Sequence, residues 1–494
     1  MSTDPRQPVL VGVGTCMQRE DDPALAREPM DLMLEAVRRA GEDTGADHTR
    51  GAQILAGLQH ISVPKGRWRY NNPAGEIARA VGAASATTVL ANVGVLQQNL
   101  LGAACRLIAG GEIDTALVTG ADAGHRIQRA RQLGHRAAER QQDDMPDVRL
   151  EPAEELLHPA ELKAGIRMPA ALYAIIGSAW RARSGASPGT HRRQIGEIYH
   201  RFSEVAAANP QAWRRKTITA PEIAEASEHN PMLAFPYTRL QCANWNVDQA
   251  SALLLCSEEK ARALGVPQHK WVYPLASTES NHMMPVSARG DLAACIGARL
   301  AGEAALAASG LDAAHLDLVE LYSCFPIAVE AYAQELGISL SRPLTVTGGM
   351  PFAGGPFNNY VLQATCRMAE LIREGHGQNG LVSSVSGILT KQGFGIWGKR
   401  PAPGGFVFSD VSADTALIET EIRVLESFSG RAKVTGYTVL HDKGQAPRAL
   451  VLVDTDTGCR ALAWSEDGAL VQRMEAAEFC GATVTIEDQL FVPA

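Results

Sequence analysis

Tyr322 and Cys324 stand two residues apart, directly after the apolar run 316–321 (LDLVEL). A phenol and a thiol at the carboxyl end of a strand can move a proton or attack an acyl carbon, provided a neighbour shifts their pKa toward neutrality. Three other short segments hold residues suited to a site. Asn92, Val93 and Gly94 lead into a helical pattern, and the free N–H groups at such a helix start could hold a thioester oxygen or a phosphate. The stretch 347–360 (TGGMPFAGGPFNNY) is a glycine loop that carries Gly354 and Gly355 and ends on Tyr360, and 390–398 (TKQGFGIWG) follows another strand. All four segments lie at strand ends, where open α/β sheets gather their ligands. A fifth group is basic: Arg181, Arg183, Arg192, Arg193, Arg214, Arg215 and Lys216, with Trp213 beside them. It could grip a phosphate-bearing cofactor with Trp213 stacked on a base, and it also fits an ordinary solvated face.

Each of these residues has a plainer use. Cys324 fits a small buried apolar side chain. Tyr322 fits a strand end, Tyr360 a helix-start residue packed on the glycine loop, and Gly94 a point of close packing. The chain contains no P-loop, no G-x-G-x-x-G opening a helix, no G-x-S-x-G and no H-E-x-x-H. Its 13 histidines form no ligand-spaced pair, so no metal is expected. Nine cysteines, an odd number without a CxxC pair, point to a reducing, cytoplasmic setting rather than a disulfide framework. A net charge of -8 argues against nucleic acid. Residues 80–105 carry no charge, but Asn92, Gln97, Gln98 and Asn99 would be costly in lipid, so buried protein core is expected and not a membrane span. The polar start and the short apolar run 9–13 do not make a secretory leader.

The elements that must position these groups follow from periodicity. Residues 8–14 read as a buried strand, and Met30, Met33, Leu34 and Val37 mark an amphipathic helix over 29–45. A strand is expected at 53–58, a helix at 73–81 with Pro73 at its start, a strand at 87–92, a helix at 95–109 stopped by Gly110 and Gly111, and a strand at 114–120. Strict alternation predicts a mainly parallel sheet covered by helices. Residues 121–228 change character and read as helices without strands, an insertion of about 121–235 over the sheet. Alternation resumes with strands at 250–256, 271–276, 316–321 and 380–386 and helices at 291–308, 327–336 and 360–374. The two halves, 1–258 and 259–400, echo each other as a duplicated unit.

Residues 401–405 (PAPGG) read as a linker. Beyond it, alternating runs at 417–424, 433–441, 450–453, 461–464 and 483–486 suggest a small antiparallel, OB-like β-barrel over 405–494. Seven Lys and Arg face fourteen Asp and Glu there, a net of −7. An oligonucleotide-binding barrel would carry the opposite sign, so a structural or protein-facing role is expected.

The order of the four segments resembles the thiolase superfamily, and more narrowly the sterol-carrier-protein-type thiolases and their thiolase-like relatives, over residues 8–400. The run 108–120 (IAGGEIDTALVTG) looks like the end of the helix that carries the family's nucleophile. Tyr322-Ser-Cys-Phe325 is similar to its H-D-C-F box, and 347–356 (TGGMPFAGGP) to its S-G-G-x-x-x-x-G-H-P box. Residues 390–397 fall where its last active-site loop should be. The resemblance implies a five-layer αβαβα fold, CoA thioesters as ligands bound partly by the insertion, and a homodimer packed through sheet edges, although the extra barrel departs from the simple pattern.

The departures matter more than the matches. The family's spacing places Gly94 where a thiolase has the cysteine that forms its acyl-enzyme. Cys105 lies eleven residues further and reads as core. Gly355 replaces the histidine of one oxyanion hole, and Tyr322 replaces the H-D-C-F histidine. Cys324 alone matches a catalytic position, the acid/base cysteine. Three functions stay open, with an enzyme favoured: a C–C bond lyase or aldolase on a CoA thioester, a non-catalytic module that binds acyl-CoA or a partner, and an acetyl-CoA acetyltransferase using Cys324.

Overall fold

The computed structural model describes residues 4–45, 48–152 and 156–494. β1 (Pro8–Gln18) is apolar along most of its length because both its faces are covered, and it leads into α1 (Pro29–Asp43), whose Met30, Met33, Ala36, Val37 and Ala40 are buried. Then come α2 (His48–Ala56), β2 (His60–Pro64), α3 (Pro73–Val81), β3 (Thr87–Ala91), α4 (Gln97–Ala109) and β4 (Thr115–Ala123). α3 shows why these borders fall where they do. Asn72 accepts a hydrogen bond from Gly75 N, Pro73 follows, and Gly82 ends the helix at φ 80°. The strand expected at 53–58 is instead the end of α2 and a turn. Ile54, Leu55 and Leu58 have a spacing that serves a helix face as well as a short strand.

The insertion holds α5 (Gly124–Gln132), β5 (Val148–Leu150), α6 (Pro159–Lys163), α7 (Pro169–Ser184), α8 (Pro188–Ala208), α9 (Ala220–Ala224) and the hairpin β6 (Met232–Ala234) with β7 (Tyr237–Thr238). It was expected to lack strands, and its residues 153–155 lie outside the described ones. β5 corrects that expectation. It pairs in parallel with β3, Val89 against Val148, and covers the open hydrogen-bonding edge that β3 would otherwise present. Its residues are largely exposed, so no apolar signal marked it.

β8 (Asp248–Ser257) returns antiparallel between β1 and β4, completing a first sheet in the order β1-β8-β4-β2-β3-β5. After α10 (Glu258–Ala263), the second half supplies β9 (Tyr273–Ser280), α11 (Ile296–Ser309), β10 (Leu318–Glu320), α12 (Pro326–Glu335), α13 (Tyr360–Glu374), β11 (Asn379–Ser386), β12 (Lys391–Gly398), β13 (Val407–Asp410) and α14 (Ser412–Ile418). Its sheet runs β10-β11-β12-β9-β13.

Glycines show how closely the layers stack. A Cβ on Gly12 or Gly14 would strike the carbonyls of Ala40 or Ala36, so α1 lies on the outer face of the first sheet. Cys366 of α13 points its thiol at Gly14 O and Ala252 O of that sheet, while Met368 lies against Gly380 of the second. Gly393 and Gly395 of β12 meet Gln98 of α4. α4 and α13 therefore form a central layer between the sheets. Gly302 of α11 lies against Leu336 and near Phe394 on the far side of the second sheet. The five layers αβαβα are as expected.

Beyond the linker, β14 (Gly430–Leu440), β15 (Arg448–Thr455), β16 (Arg460–Ser465), α15 (Gly468–Ala476), β17 (Thr483–Glu487) and β18 (Leu490–Pro493) form the barrel. Pairings β14–β15, β15–β16, β16–β18, β18–β17 and β17–β14 close it, all antiparallel except the single bridge Trp464–Leu490. The expected strand at 417–424 is absent. α14 covers its start, and only isolated bridges, Arg289 to Glu421 and Val424 to Arg460, follow. β13 joins the second sheet beside β9. The barrel is tied to the body by β6 against Leu440 and by Arg181. That fully buried guanidinium of α7 bonds Glu478 at 2.8 Å and donates to Tyr437 Oη at 2.9 Å. No helix among the described residues is long and apolar enough to cross a membrane.

Candidate functional site

The central helices α4 and α13 start side by side. Gln97 Oε1, in the first turn of α4, accepts from Val361 N at the start of α13 at 2.9 Å. Around these two starts lie the segment after β10, the glycine loop before α13 and the β11–β12 turn. Four separate stretches of sequence meet there because parallel strands deliver their carboxyl ends to one side of a sheet.

Glu320, the last residue of β10, anchors the glycine loop. Its fully buried carboxylate accepts from Val346 N at 2.7 Å, Thr347 N at 2.9 Å, Thr345 Oγ1 at 3.0 Å and Tyr360 Oη at 2.5 Å. Burial pushes this carboxyl up from the ordinary glutamate range, and the hydrogen bonds from Tyr360 and the loop oppose that push. Tyr360 is buried, and burial together with the Glu320 carboxylate holds its hydroxyl well above the usual phenol range. It serves as a donor in a fixed network.

Tyr322 is partly buried, and its ring meets that of Tyr360 edge to face at 5.6 Å between centroids. Burial, with the neighbouring Cys324, pushes its pKa up. Cys324 is buried, and burial raises its thiol to about 12 against a hydrogen bond from the Tyr173 hydroxyl. The cysteine is therefore a neutral thiol at ordinary pH. Tyr173 belongs to α7, and its ring stacks on Phe325 at 4.4 Å, so the insertion closes directly over the 322–325 segment.

Gly94 precedes α4 at φ 106°, a conformation that L side chains rarely adopt. A Cβ there would come within 2.9 Å of Pro152 Cβ, just past β5. Leu96 provides no side-chain cap for α4, so its first N–H groups lack the usual partner. Gly355 is closed in as well, since a Cβ would lie 3.0 Å from Met350 Cε and 3.4 Å from Ala243 Cβ. Gly354 has φ 98° and faces Gln249 Oε1.

No family model matches the sequence, and no curated protein matches it. Solved structures do match. A monomeric SCP2-thiolase-like protein type 1 from Mycobacterium smegmatis aligns over 100% of both chains with a TM-score of 0.82 and 27% identity. The chain belongs to the thiolase superfamily. Two more distant structures share the thiolase fold. The Ltp2-ChsH2(DUF35) aldolase covers 80% of this chain and 99% of its own at TM-score 0.61 and 18% identity. The dimeric peroxisomal thiolase of Saccharomyces cerevisiae covers 81% and 99% at 0.55 and 16%.

In this thiolase-superfamily chain the residues singled out from sequence fall into two sets. Gly94, Tyr322, Cys324, Gly354, Gly355 and Tyr360 gather on segments around the two helix starts. Trp213 and Arg214 join them from the insertion, because Trp213 N donates to Ala353 O at 3.0 Å and Arg214 N to Phe352 O at 2.7 Å, directly on the glycine loop. Arg215 follows and is exposed. Trp213 has neighbours of its own, with Arg19 over its ring at 5.0 Å and His125 tilted against it at 5.5 Å. The rest of the basic group disperses. Arg181 turns to the barrel, Arg183 pairs with Asp291, and Arg192 donates to Ala224 O. Neither Tyr322 nor Cys324 has the neighbour that would draw its pKa toward neutrality.

Sequence reasoning missed Glu320 and Tyr173. Glu320 had a signal, a carboxylate set between Val319 and Leu321 at an apolar strand end. Tyr173 had none, because only the folding of the insertion brings it to Cys324.

Proposed function

We propose that this chain binds an acyl-CoA thioester at the starts of α4 and α13 and acts on its acyl part without an acyl-enzyme, as a carbon–carbon lyase of aldolase type. The observation that carries this reading is Gly94. It stands where the family's nucleophile is expected, and Pro152 fills the space that any side chain there would need. The uncapped N–H groups after it suit the thioester oxygen, whose negative charge grows as the bond beside it breaks. Tyr322, with its pKa pushed up, suits a proton donor or a hydrogen bond to a substrate oxygen rather than a base. Trp213, Arg214 and Arg215, carried on and beside the glycine loop, suit the nucleotide end of CoA. The full-length likeness to an SCP2-thiolase-like protein and the fold shared with an aldolase support the class.

The test compares Tyr322→Phe and Cys324→Ala with the parent on a panel of β-hydroxyacyl-CoA and β-ketoacyl-CoA. Cleavage by the parent, lost in Tyr322→Phe, is expected. Unchanged turnover in both variants refutes the assigned roles.

The neutral, deeply held Cys324 and Tyr360 favour a second reading, a module that holds acyl-CoA or a partner without turnover. Calorimetry with CoA and acetyl-CoA separates the two. Binding without cleavage of any panel member selects the module. An acetyltransferase using Cys324 has little support from a thiol raised to about 12.

A further inference from the structure

Lys391 is the first residue of β12 and is 5% exposed. Its ammonium has no hydrogen bond or ion pair among the described residues, in a protein whose other well-buried cations are mostly matched. Its stem is packed away, while its ammonium is not among the fully enclosed atoms and reaches an opening where a ligand can meet it.

The register of the second sheet says where this side chain goes. Residues directly opposite on antiparallel strands share a face. Lys391 pairs with Ser386, and Gly393 with Ser384. Ser386 Oγ lies 3.5 Å from Gly94 O. A Cβ on Gly393 would meet Gln98 at 3.1 Å and Leu96 Cδ1 at 3.5 Å. This face of β11 and β12 therefore looks at the start of α4, and Lys391 is its outermost member, level with Gly94. Ser384 is on the same face, 1% exposed, and its buried hydroxyl has no partner.

Three groups thus share one face: the Lys391 ammonium, the unpartnered Ser384 hydroxyl and the uncapped N–H groups of α4. All three can donate, and two carry positive charge or its equivalent. The nearby acids are committed elsewhere. Glu151 Oε1 accepts from Asn92 Nδ2 at 2.5 Å, and Glu279 Oε1 accepts from Asn99 Nδ2 at 2.8 Å and Asn281 Nδ2 at 3.0 Å.

We infer that Lys391 and Ser384, beside the start of α4, form a seat for a carboxylate carried on the acyl part of the ligand. This rests on the reading that an acyl thioester enters here, and it narrows that reading to acyl groups that carry a carboxylate.

The experiment has two arms. In the first, calorimetry compares CoA, butyryl-CoA and succinyl-CoA on the parent, Lys391→Met and Ser384→Ala. The parent should bind succinyl-CoA about tenfold to a hundredfold more tightly than butyryl-CoA, the range expected for a hydrogen bond to a charged group. Lys391→Met should abolish that preference and leave the affinity for CoA unchanged. Equal affinities for the two esters on the parent overturn the proposal. In the second arm, backbone amide resonances of residues 95–98 are followed during titration with free butyrate and with inorganic phosphate. Shifts with butyrate in the parent, absent in Lys391→Met, support the seat even if no CoA ester binds, and that outcome would remove the thioester reading alone. Shifts with phosphate only, or with neither anion, overturn it. Thermal melting guards against a variant that merely unfolds. Lys391→Met keeps a packed apolar stem, so its melting temperature should stay close to the parent's, whereas a lysine kept for structure would lower it.

Discussion

Tyr360 Oη lies 2.5 Å from Glu320 Oε1, and both side chains are buried where the second sheet meets the start of α13. This bond ties the helix start to the strand end and leaves the glycine loop hung between them. A Tyr360→Phe variant leaves the carboxylate one donor short in a dry site. A loss of about 1.5–3 kcal/mol in urea unfolding is expected, the usual range for a hydrogen bond to a charged group. A variant with unchanged stability would mean that the loop's other donors suffice.

Gly94 makes a prediction with the opposite intent. Restoring a cysteine there should not restore a thiolase. Gly94→Cys must hold a left-handed φ and displace Pro152, so it should be destabilised by about 1–3 kcal/mol and show no acyl-enzyme by mass spectrometry after incubation with acetyl-CoA. A stable acetyl adduct at residue 94 would show that Pro152 yields easily.

Cys324 should be silent toward thiol reagents. Its thiol is raised to about 12 and its surroundings are closed, so native protein at neutral pH should carry no iodoacetamide label on Cys324, whereas unfolded protein should. Rapid native labelling would reopen a covalent role.

Glu279 introduces a pH dependence. Burial, with a smaller contribution from Asp410, raises its carboxyl to about 7, against hydrogen bonds from Asn99 and Asn281. The folded protein thus keeps a proton that the unfolded chain, with the ordinary glutamate value of 4.5, releases. This contribution to stability is fully present below about pH 4.5 and fades as pH rises through about 7, with a total of about 3 kcal/mol at one pKa unit per 1.36 kcal/mol. Glu279→Gln should flatten that part of the stability profile, measured by urea midpoints between pH 5 and 8. A parallel profile would refute the assignment.

Arg181 and Glu478 couple the barrel to the body. Glu478→Gln strips the partner from a fully buried guanidinium and should cost about 3–5 kcal/mol, while Arg181→Met removes the buried charge itself and should cost less. The two unfolding midpoints, measured side by side, check the order.

Much of this architecture was legible because layers impose period. Runs buried on both faces, such as 8–14 and 250–256, mark strands between helices, and capped, glycine-terminated stretches mark helices. The errors share one cause. Short segments with little burial of their own take their conformation from neighbours, so the exposed residues of β5 give no strand signal and the alternation of 417–424 suggests a strand where α14 ends. The candidate site was legible as a set of strand ends. What it lacked were partners set by register and by the insertion, such as Tyr173 on Cys324 and Ser386 beside Gly94. Sequence spacing holds no trace of which residues lie opposite across a turn.

β5 supplies from within the chain the hydrogen-bonding edge next to β3, and two residues later Pro152 closes on Gly94. Completing this sheet is consequently a unimolecular event, indifferent to how dilute the protein is. The same short strand both finishes the edge and shuts the helix mouth, so any fraying of residues 148–152 would loosen the two together, well before the rest of the first sheet gives way.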